Sequence, residues 1–497
     1  LRVALSNYYK GNEEQLNLKI SRILHLKSTL DKNTLEVDNE FVDSSQFNSQ
    51  AAENSLVCIK NDDELLPIKN LGQKFEFTNF EKQNLSIIDQ YVPVFLEFKE
   101  ENKVEPQTQI FLAKDKSKEQ VKAWLQKKDE QQTNSVLIID NEDLYALRTV
   151  DLKRPRSIIV VPSYSDLSIN KAIQACFGAL DVSGKLPYYL NPGFPTNSSV
   201  SIVSIDRLKY STPNEMGLSQ TYFESIDSIA QNGVNSAAFP GCQVQMAWKG
   251  TVVHQKAYGT VSVAKKKKAS VNLVYDIASI TKIAASTISL MKLEEKGSFG
   301  LDKSLSDLWS GLPSGHSFGN IRMKDMMAHQ AGLPGWIPFY YITCKKGIPK
   351  PEFYSKTATD SMSILVAKDL YLRNDYPDTM YARILRQRLK TRKYLYSDLG
   401  YYFVKKIIEE QTGQGMDQFV ENEFYRPLGL KTIGYNPLNK LQLKDIAPTE
   451  NDRAFRQQTV HGYVHDPGAA MMGGVGGHAG VFSRTNDLAV LMQMLLN

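Results

Sequence analysis

Residues 275–286 read YDIASITKIAAS, and within them Ser279 and Lys282 stand three apart at the head of an apolar stretch running to Gly297. Spacing alone says little, because Ser168/Lys171, Ser262/Lys265 and Ser289/Lys292 repeat it. Context separates the four. Ser168 reads as a helix N-cap, Ser262 leads into the cationic run Lys265 to Lys268, and Ser289 falls mid-helix. Ser279 alone opens a long helix, ITKIAASTISLMKLEEKG (280–297), in which Ile283, Ile288, Leu290, Met291 and Leu293 supply the apolar contacts and Gly297 the C-cap. Residues three apart share a face on a first helical turn, so Lys282 can reach the Ser279 hydroxyl. A serine attacks a carbonyl only once a base takes its proton, and a lysine (ordinary pKa ~10.4) does so where burial or nearby cations favour the amine. A helix N-terminus adds N–H groups and partial positive charge near the reacting carbonyl. The stretch fits either a serine with a lysine base, a variant of serine catalysis, or a polar helix start.

Upstream, GCQVQMAWKGTVVHQKAYG (241–259) shows two alternating runs joined at Lys249-Gly250, a β-hairpin. GLSQTYFESIDSIAQNG (217–233) is expected as a helix with Tyr222, Ile226 and Ile229 on one face, and 201–217 as a linker. LDVSGKLPYYLNPGFP (180–195) is a Gly/Pro-rich loop. Before it, SVLIID (135–140) and RSIIVVP (156–162) are β-branched strands of an α/β domain, and LVCIKNDDELLPI (56–68) reads as strand, turn, strand. Asp62, Asp63 and Glu64 are charged turn residues rather than paired catalytic acids. In EEQLNLKISRILHLKSTL (13–30), Leu16, Ile20, Ile23, Leu24 and Leu30 fall near helical spacing. No internal repeat is visible.

The length, 497 residues, implies two or three domains, and 42% hydrophobic with 23% charged residues is the balance of a globular protein. A net charge of +5 without an aromatic-basic stripe argues against nucleic acid as a partner. Cys58, Cys176, Cys242 and Cys344 lack ligand spacing, and His461 and His465 flank a glycine in a loop, so neither a metal nor a cofactor is expected. His329 is expected as a structural hydrogen bonder. No apolar run approaches the roughly 20 residues that span a bilayer. Leu1 at the start and an uncapped helical pattern at the end, DLAVLMQMLLN, suggest an internal piece of a larger protein.

SITK in its setting resembles the first motif of the serine β-lactamase and penicillin-binding protein superfamily, closest to its class C and esterase-like branch. MKLEEKGSFGLDKSLSDLW (291–309) and IRMKDMMAHQAGLPGW (321–336) resemble further segments of that family, and Tyr396-Ser397-Asp398 resembles its second motif with Asp in place of Asn. The resemblance covers roughly 217–497. It implies Ser279 as the acylated nucleophile, Lys282 as base, Tyr396 as proton shuttle to the leaving group, and Asp398 as a carboxylate that would hold Lys282 protonated on contact. That last departure favours an esterase- or peptidase-like relative over a true β-lactamase. His478-Ala479-Gly480 is a candidate for the third motif, but its glycine-rich setting resembles the segment preceding that motif, which is expected beyond Asn497.

KISRILHLKSTL (19–30), ENSLVCIKNDDELLPIKN (53–70) and FGALDVSGKLPYYL (177–190) resemble the end of the barrel and the α/β-sandwich domain of glycoside hydrolase family 3, of the β-N-acetylglucosaminidase type. Together the resemblances imply α/β plus α+β architecture. Residues 1–30 would end a barrel and 31–200 form the sandwich. After the linker at 201–217, residues 218–497 would form a β-lactamase/transpeptidase-like domain, an antiparallel sheet flanked by helices plus a helical subdomain. Three functions stand open: a fragment of a bifunctional bacterial cell-wall hydrolase, in which a serine hydrolase domain acting on a small-molecule or peptidoglycan-derived substrate in the cell envelope or periplasm follows the accessory domain of a β-N-acetylglucosaminidase; a protein whose main activity is glycoside hydrolysis through the barrel; and a non-catalytic peptidoglycan-binding or scaffolding module.

Overall fold

The computed structural model describes residues 44–96, 98, 106–116, 118–126, 133–264 and 266–496. The helix expected at 13–30, the barrel remnant at 1–30 and Lys265 lie outside these residues.

Helix α1 (Ser44–Asn54) leads into a five-stranded sheet of β1 (Val57–Asn61), β2 (Phe75–Thr78), β3 (Thr108–Leu112), β4 (Asn134–Asp140) and β5 (Ser157–Val161). The spatial order is β1-β5-β4-β3-β2, parallel throughout except for β1, which runs antiparallel to β5 at the edge. Strand periodicity divides its side chains cleanly. Val136, Ile138, Ile159 and Val161 face one core with Ile169 and Phe177, while Leu137, Ile139, Ile158 and Val160 face a second core with Leu144 and Leu186. Near-continuous apolar strands are what a sheet covered on both faces requires. The covering helices include α2 (Lys82–Tyr91), α3 (Lys118–Gln126), α4 (Asn141–Ala146) and α5 (Asp166–Cys176).

Two expectations in this part are corrected. The second apolar run of 56–68 is not a strand, because the Asn61 side chain donates to Leu66 O and accepts from Leu66 N, satisfying the backbone locally while Leu66 and Ile68 bury their side chains. The cap of α5 is Ser165, which accepts from Ser168 N at 3.3 Å, and Ser168 is buried inside the helix. Asp62–Glu64 form the expected turn, with Asp63 paired to Arg156.

The segment expected as a linker is a packed strap. Ile202 pairs with Val182, and β6 (Lys209–Tyr210) joins β8 (Thr251–Gly259) in parallel beside β7 (Gly241–Trp248). The hairpin turns at Lys249 and Gly250, with φ of 48° and 72°, the positive values that a type I′ turn needs. Helix α6 (Gln220–Asn235) packs on this hairpin with a face rotated from the expected one: Phe223 and Ala230 are buried, Ile226 packs beside them, and Tyr222 and Ile229 are exposed.

Beyond the hairpin, β9 (Tyr275–Asp276) ends at the SITK segment. Helix α7 (Ile288–Glu295) and helix α8 (Leu399–Thr412) share the largest core, and Ile283, expected among its contacts, is exposed. Strand β11 (Val481–Ser483) pairs antiparallel with both β10 (Gly434–Tyr435) and β9, setting Phe482 opposite Asp276. The final helix α9 (Thr485–Leu496) joins the two halves. Arg484, just before it, is 2% exposed and bonds Asp89 Oδ2 and O at 3.0 Å, Asp487 Oδ1 at 3.1 Å and Asn272 Oδ1 at 2.7 Å. Asn486 adds contacts to Gln90 O and to the Tyr210 hydroxyl. A guanidinium so deeply buried needs this much counter-charge and acceptor capacity.

Candidate active site

Ser279 sits on a 3₁₀ turn, Ala278–Ile280, and is exposed, while the chain continues as a π-helix over Lys282–Thr287 before becoming α7. Thr287 Oγ1 donates to Lys282 O at 2.8 Å within this wider turn. Turns of this kind are frequent at functional sites, and simple apolar periodicity does not foresee one. The turn buries Lys282, whose residue is 5% exposed. Its Nζ lies 2.9 Å from Ser279 Oγ, 2.6 Å from Asp398 Oδ1 and 3.2 Å from His478 O.

Asp398 is the residue before α8, so the expected second motif sits at a helix start. Tyr396 is half exposed, and its ring centroid lies 4.9 Å from Lys282 Nζ; its hydroxyl makes no hydrogen bond to a described residue. Tyr401 presents a second ring at 5.3 Å, and burial pushes its phenol up to about 12. The ammonium is thus held by a carboxylate, a carbonyl, a hydroxyl and two ring faces. His329 is the expected structural hydrogen bonder: its Nδ1 accepts from Ser397 N at 3.1 Å and its ring lies tilted against Tyr396, with centroids 4.4 Å apart. Burial, and then the Lys282 cation, lower its pKa, which favours the neutral ring this bond requires.

His478 lies beside the site, immediately ahead of β11. It is buried, stacked on Tyr402 with centroids 4.5 Å apart, and its Nε2 is 2.8 Å from Asp466 Oδ1. Burial by itself raises the Asp466 pKa, but the charge and hydrogen bond of His478 outweigh it and hold the carboxyl at about 2. The signal for Asp466 was present in the sequence as Asp-Pro, an N-cap followed by proline, and its Oδ1 does accept from Ala469 N. Asp276 carried no motif. Its Oδ1 accepts from Ala278 N at 2.8 Å and its Oδ2 from His465 N at 2.6 Å, and burial raises its pKa.

A cleft lined by Trp336, Tyr340, Asp398, Tyr402, Asp466 and His478 opens beside the Ser–Lys pair. A larger cavity of about 310 Å³ lies around Lys171, Glu215 and His254, and neither Ser279 nor Lys282 lines it. The smaller cleft reaches the Ser–Lys pair through Asp398 and His478, which line it and both contact Lys282 Nζ. His461 Nε2 contacts Ile446 O at 2.8 Å, a histidine held by backbone, and no cluster suited to a metal ion occurs among the described residues.

The Beta-lactamase family model matches residues 226–497. The chain belongs to this family. It is 32% identical over 324 residues to the "Putative D-alanyl-D-alanine carboxypeptidase" of Escherichia coli O157:H7, covering 60% of this chain and 69% of that protein. It is 31% identical over 296 residues to the "N-acetylmuramyl-L-alanine amidase" of Bacillus subtilis (strain 168), covering 55% and 62%. Among solved structures, the octameric penicillin-binding protein homologue from Pyrococcus abyssi is 19% identical with a TM-score of 0.40, covering 55% of this chain and 56% of that one. Within the family match fall Ser279, Lys282, Tyr396 and Asp398, and the fold brings the first, second and fourth into direct contact.

Proposed function

We propose that the chain is a serine hydrolase that forms an acyl-enzyme on Ser279. The observation that carries this reading is the 2.9 Å contact between the buried Lys282 Nζ and the exposed Ser279 Oγ. Lys282 acts as base only as the amine, so the proton it holds against Asp398 first passes to that carboxylate or to solvent. Ser279 Oγ then attacks the carbonyl carbon while its proton goes to Nζ. The charge of the oxyanion is offset by the newly protonated Lys282 beside it, because Ala278 N and Ile280 N are already engaged by Asp276 Oδ1 and Ile277 O. The leaving group departs with a proton from Lys282, directly or through Tyr396, and water hydrolyses the ester. The substrate class we propose is a cell-wall peptide or a related ester or amide, in the cell envelope. Support comes from the names of the two relatives, and Asp398 in the second motif favours peptidase or esterase chemistry over β-lactam hydrolysis. The test is labelling with fluorescent penicillin or a fluorophosphonate, followed by mapping of the adduct. Labelling at Ser279 that disappears in Ser279→Ala supports the reading; a chain that is unlabelled, or equally labelled after that substitution, overturns it.

A second reading concerns the first domain, as an accessory domain of a β-N-acetylglucosaminidase of glycoside hydrolase family 3. It draws on the sequence resemblance and on the two-faced, mostly parallel sheet at 57–161. Hydrolysis of a chromogenic β-N-acetylglucosaminide by the protein would support it, and inertness would remove it.

A further inference from the structure

The residues around the nucleophile form a closed ring of contacts. Asp276 holds Ala278 N and, across the cleft, His465 N. The next residue, Asp466, holds His478 Nε2. The carbonyl of His478 accepts from Lys282 Nζ, Lys282 donates to Ser279 Oγ, and Ser279 adjoins Ala278, where the ring began. Ala278 carries φ of +45°, a conformation disfavoured for an L-residue and sustained only where surrounding contacts over-determine it. The Asp276 bond to its N–H is such a contact.

Resting on the reading of Ser279 as nucleophile and Lys282 as base, we infer that Asp276, Asp466 and His478 are positioning residues that fix this pair from both sides. None of the three touches Oγ. Asp276 sets the backbone turn that aims the serine. Asp466 and the stacked ring of Tyr402 fix the His478 side chain, and with it the carbonyl that receives Lys282. Without that carbonyl the ammonium would lean fully onto Asp398, away from the serine. His478 Nδ1 has no partner among the described residues, so the ring is anchored through Nε2 alone, which makes Asp466 its one polar tether.

The test compares the full chain with Asp466→Asn, His478→Asn and Asp276→Asn. His478→Asn keeps the main-chain carbonyl but loses the ring that orients it. Asp276→Asn keeps an acceptor for Ala278 N and turns an amide donor toward His465 N. The rate of Ser279 acylation by a fluorophosphonate is expected to fall by about 100-fold in the folded variants, since a misplacement near 1 Å costs that much. The loss should fall on the maximal rate, with half-saturation unchanged, whereas simple loss of folded protein lowers the labelled amount and leaves the rate constant alone. Wild-type acylation rates in the folded variants overturn the inference. If the unsubstituted chain does not label, the function proposed above fails instead, and crystal structures of the variants decide this one. A Lys282 Nζ to Ser279 Oγ separation grown beyond hydrogen-bonding reach upholds it, and an unchanged one overturns it.

Discussion

Lys282 Nζ lies closer to Asp398 Oδ1, at 2.6 Å, than to Ser279 Oγ, at 2.9 Å. The lysine proposed as base is therefore engaged by a carboxylate in the resting structure. A nearby negative charge favours the ammonium, and removing it favours the amine. Asp398→Asn removes that charge and leaves an acceptor in place, so labelling of Ser279 by the probe is expected to be faster than in the unsubstituted chain. The check is the labelling rate constant of the two proteins under the same conditions. An equal or slower rate would show that Asp398 does not restrain Lys282.

Asp466 contributes to stability with a definite sign. Its carboxyl is held at about 2 against the usual 3.8. Stability from a depressed carboxylate is present above the unfolded value and is lost as pH falls through the folded one. Thermal midpoints should therefore decline between pH 4 and 2. Asp466→Asn should lower the midpoint at pH 6 and flatten the decline, which scanning calorimetry would register.

Asp89 and Arg484 are each 2% exposed at the side chain. Removing one partner of a buried pair leaves an uncompensated charge and typically costs about 3–5 kcal/mol. Asp89→Ala should lose part of that in urea unfolding of the full chain, since Asp487 remains as a second counter-ion to Arg484. Pairing Asp89→Leu with Arg484→Met should not recover the loss, because Asp487, which also pairs with Arg484, would then stay buried without its cation.

Gly477 meets its surroundings too closely for a side chain. A Cβ there would fall 2.1 Å from Tyr401 O and 3.2 Å from Ser286 Oγ, which already donates to Gly477 O. Gly477→Ala must push the loop before His478 off helix α8, at a cost of about 1–3 kcal/mol. Because that loop carries the Lys282 acceptor, acylation should slow even at temperatures where the variant stays folded.

The hairpin and the α/β strands were legible because each is local, a Lys-Gly pair or a β-branched run, whereas the 3₁₀ and π turns that carry Ser279 and Lys282 stand where a regular helix was expected. The Lys282 to Asp398 contact was legible only as a consequence of matching two motifs 116 residues apart. The rest of the site was hidden for the same physical reason. Asp276 meets His465 across 189 residues, and nothing near either residue encodes the meeting. The face of α6 was misread because Tyr222, Ile226 and Ile229 fit helical spacing about as well as Phe223, Ile226 and Ala230, and only packing against the hairpin chooses between them. Local apolar runs also could not reveal that Asn61 would cap Leu66 and abolish a strand.

The Arg484 guanidinium also bears on modularity. Its aspartate on α2 belongs to one half of the chain and its position after β11 to the other. A hydrolase half transplanted onto a foreign carrier would keep the cation and forfeit part of its counter-charge. A working graft must bring the Asp89 helix along. As built, the two halves are a single cassette, and their boundary is a poor place for recombination.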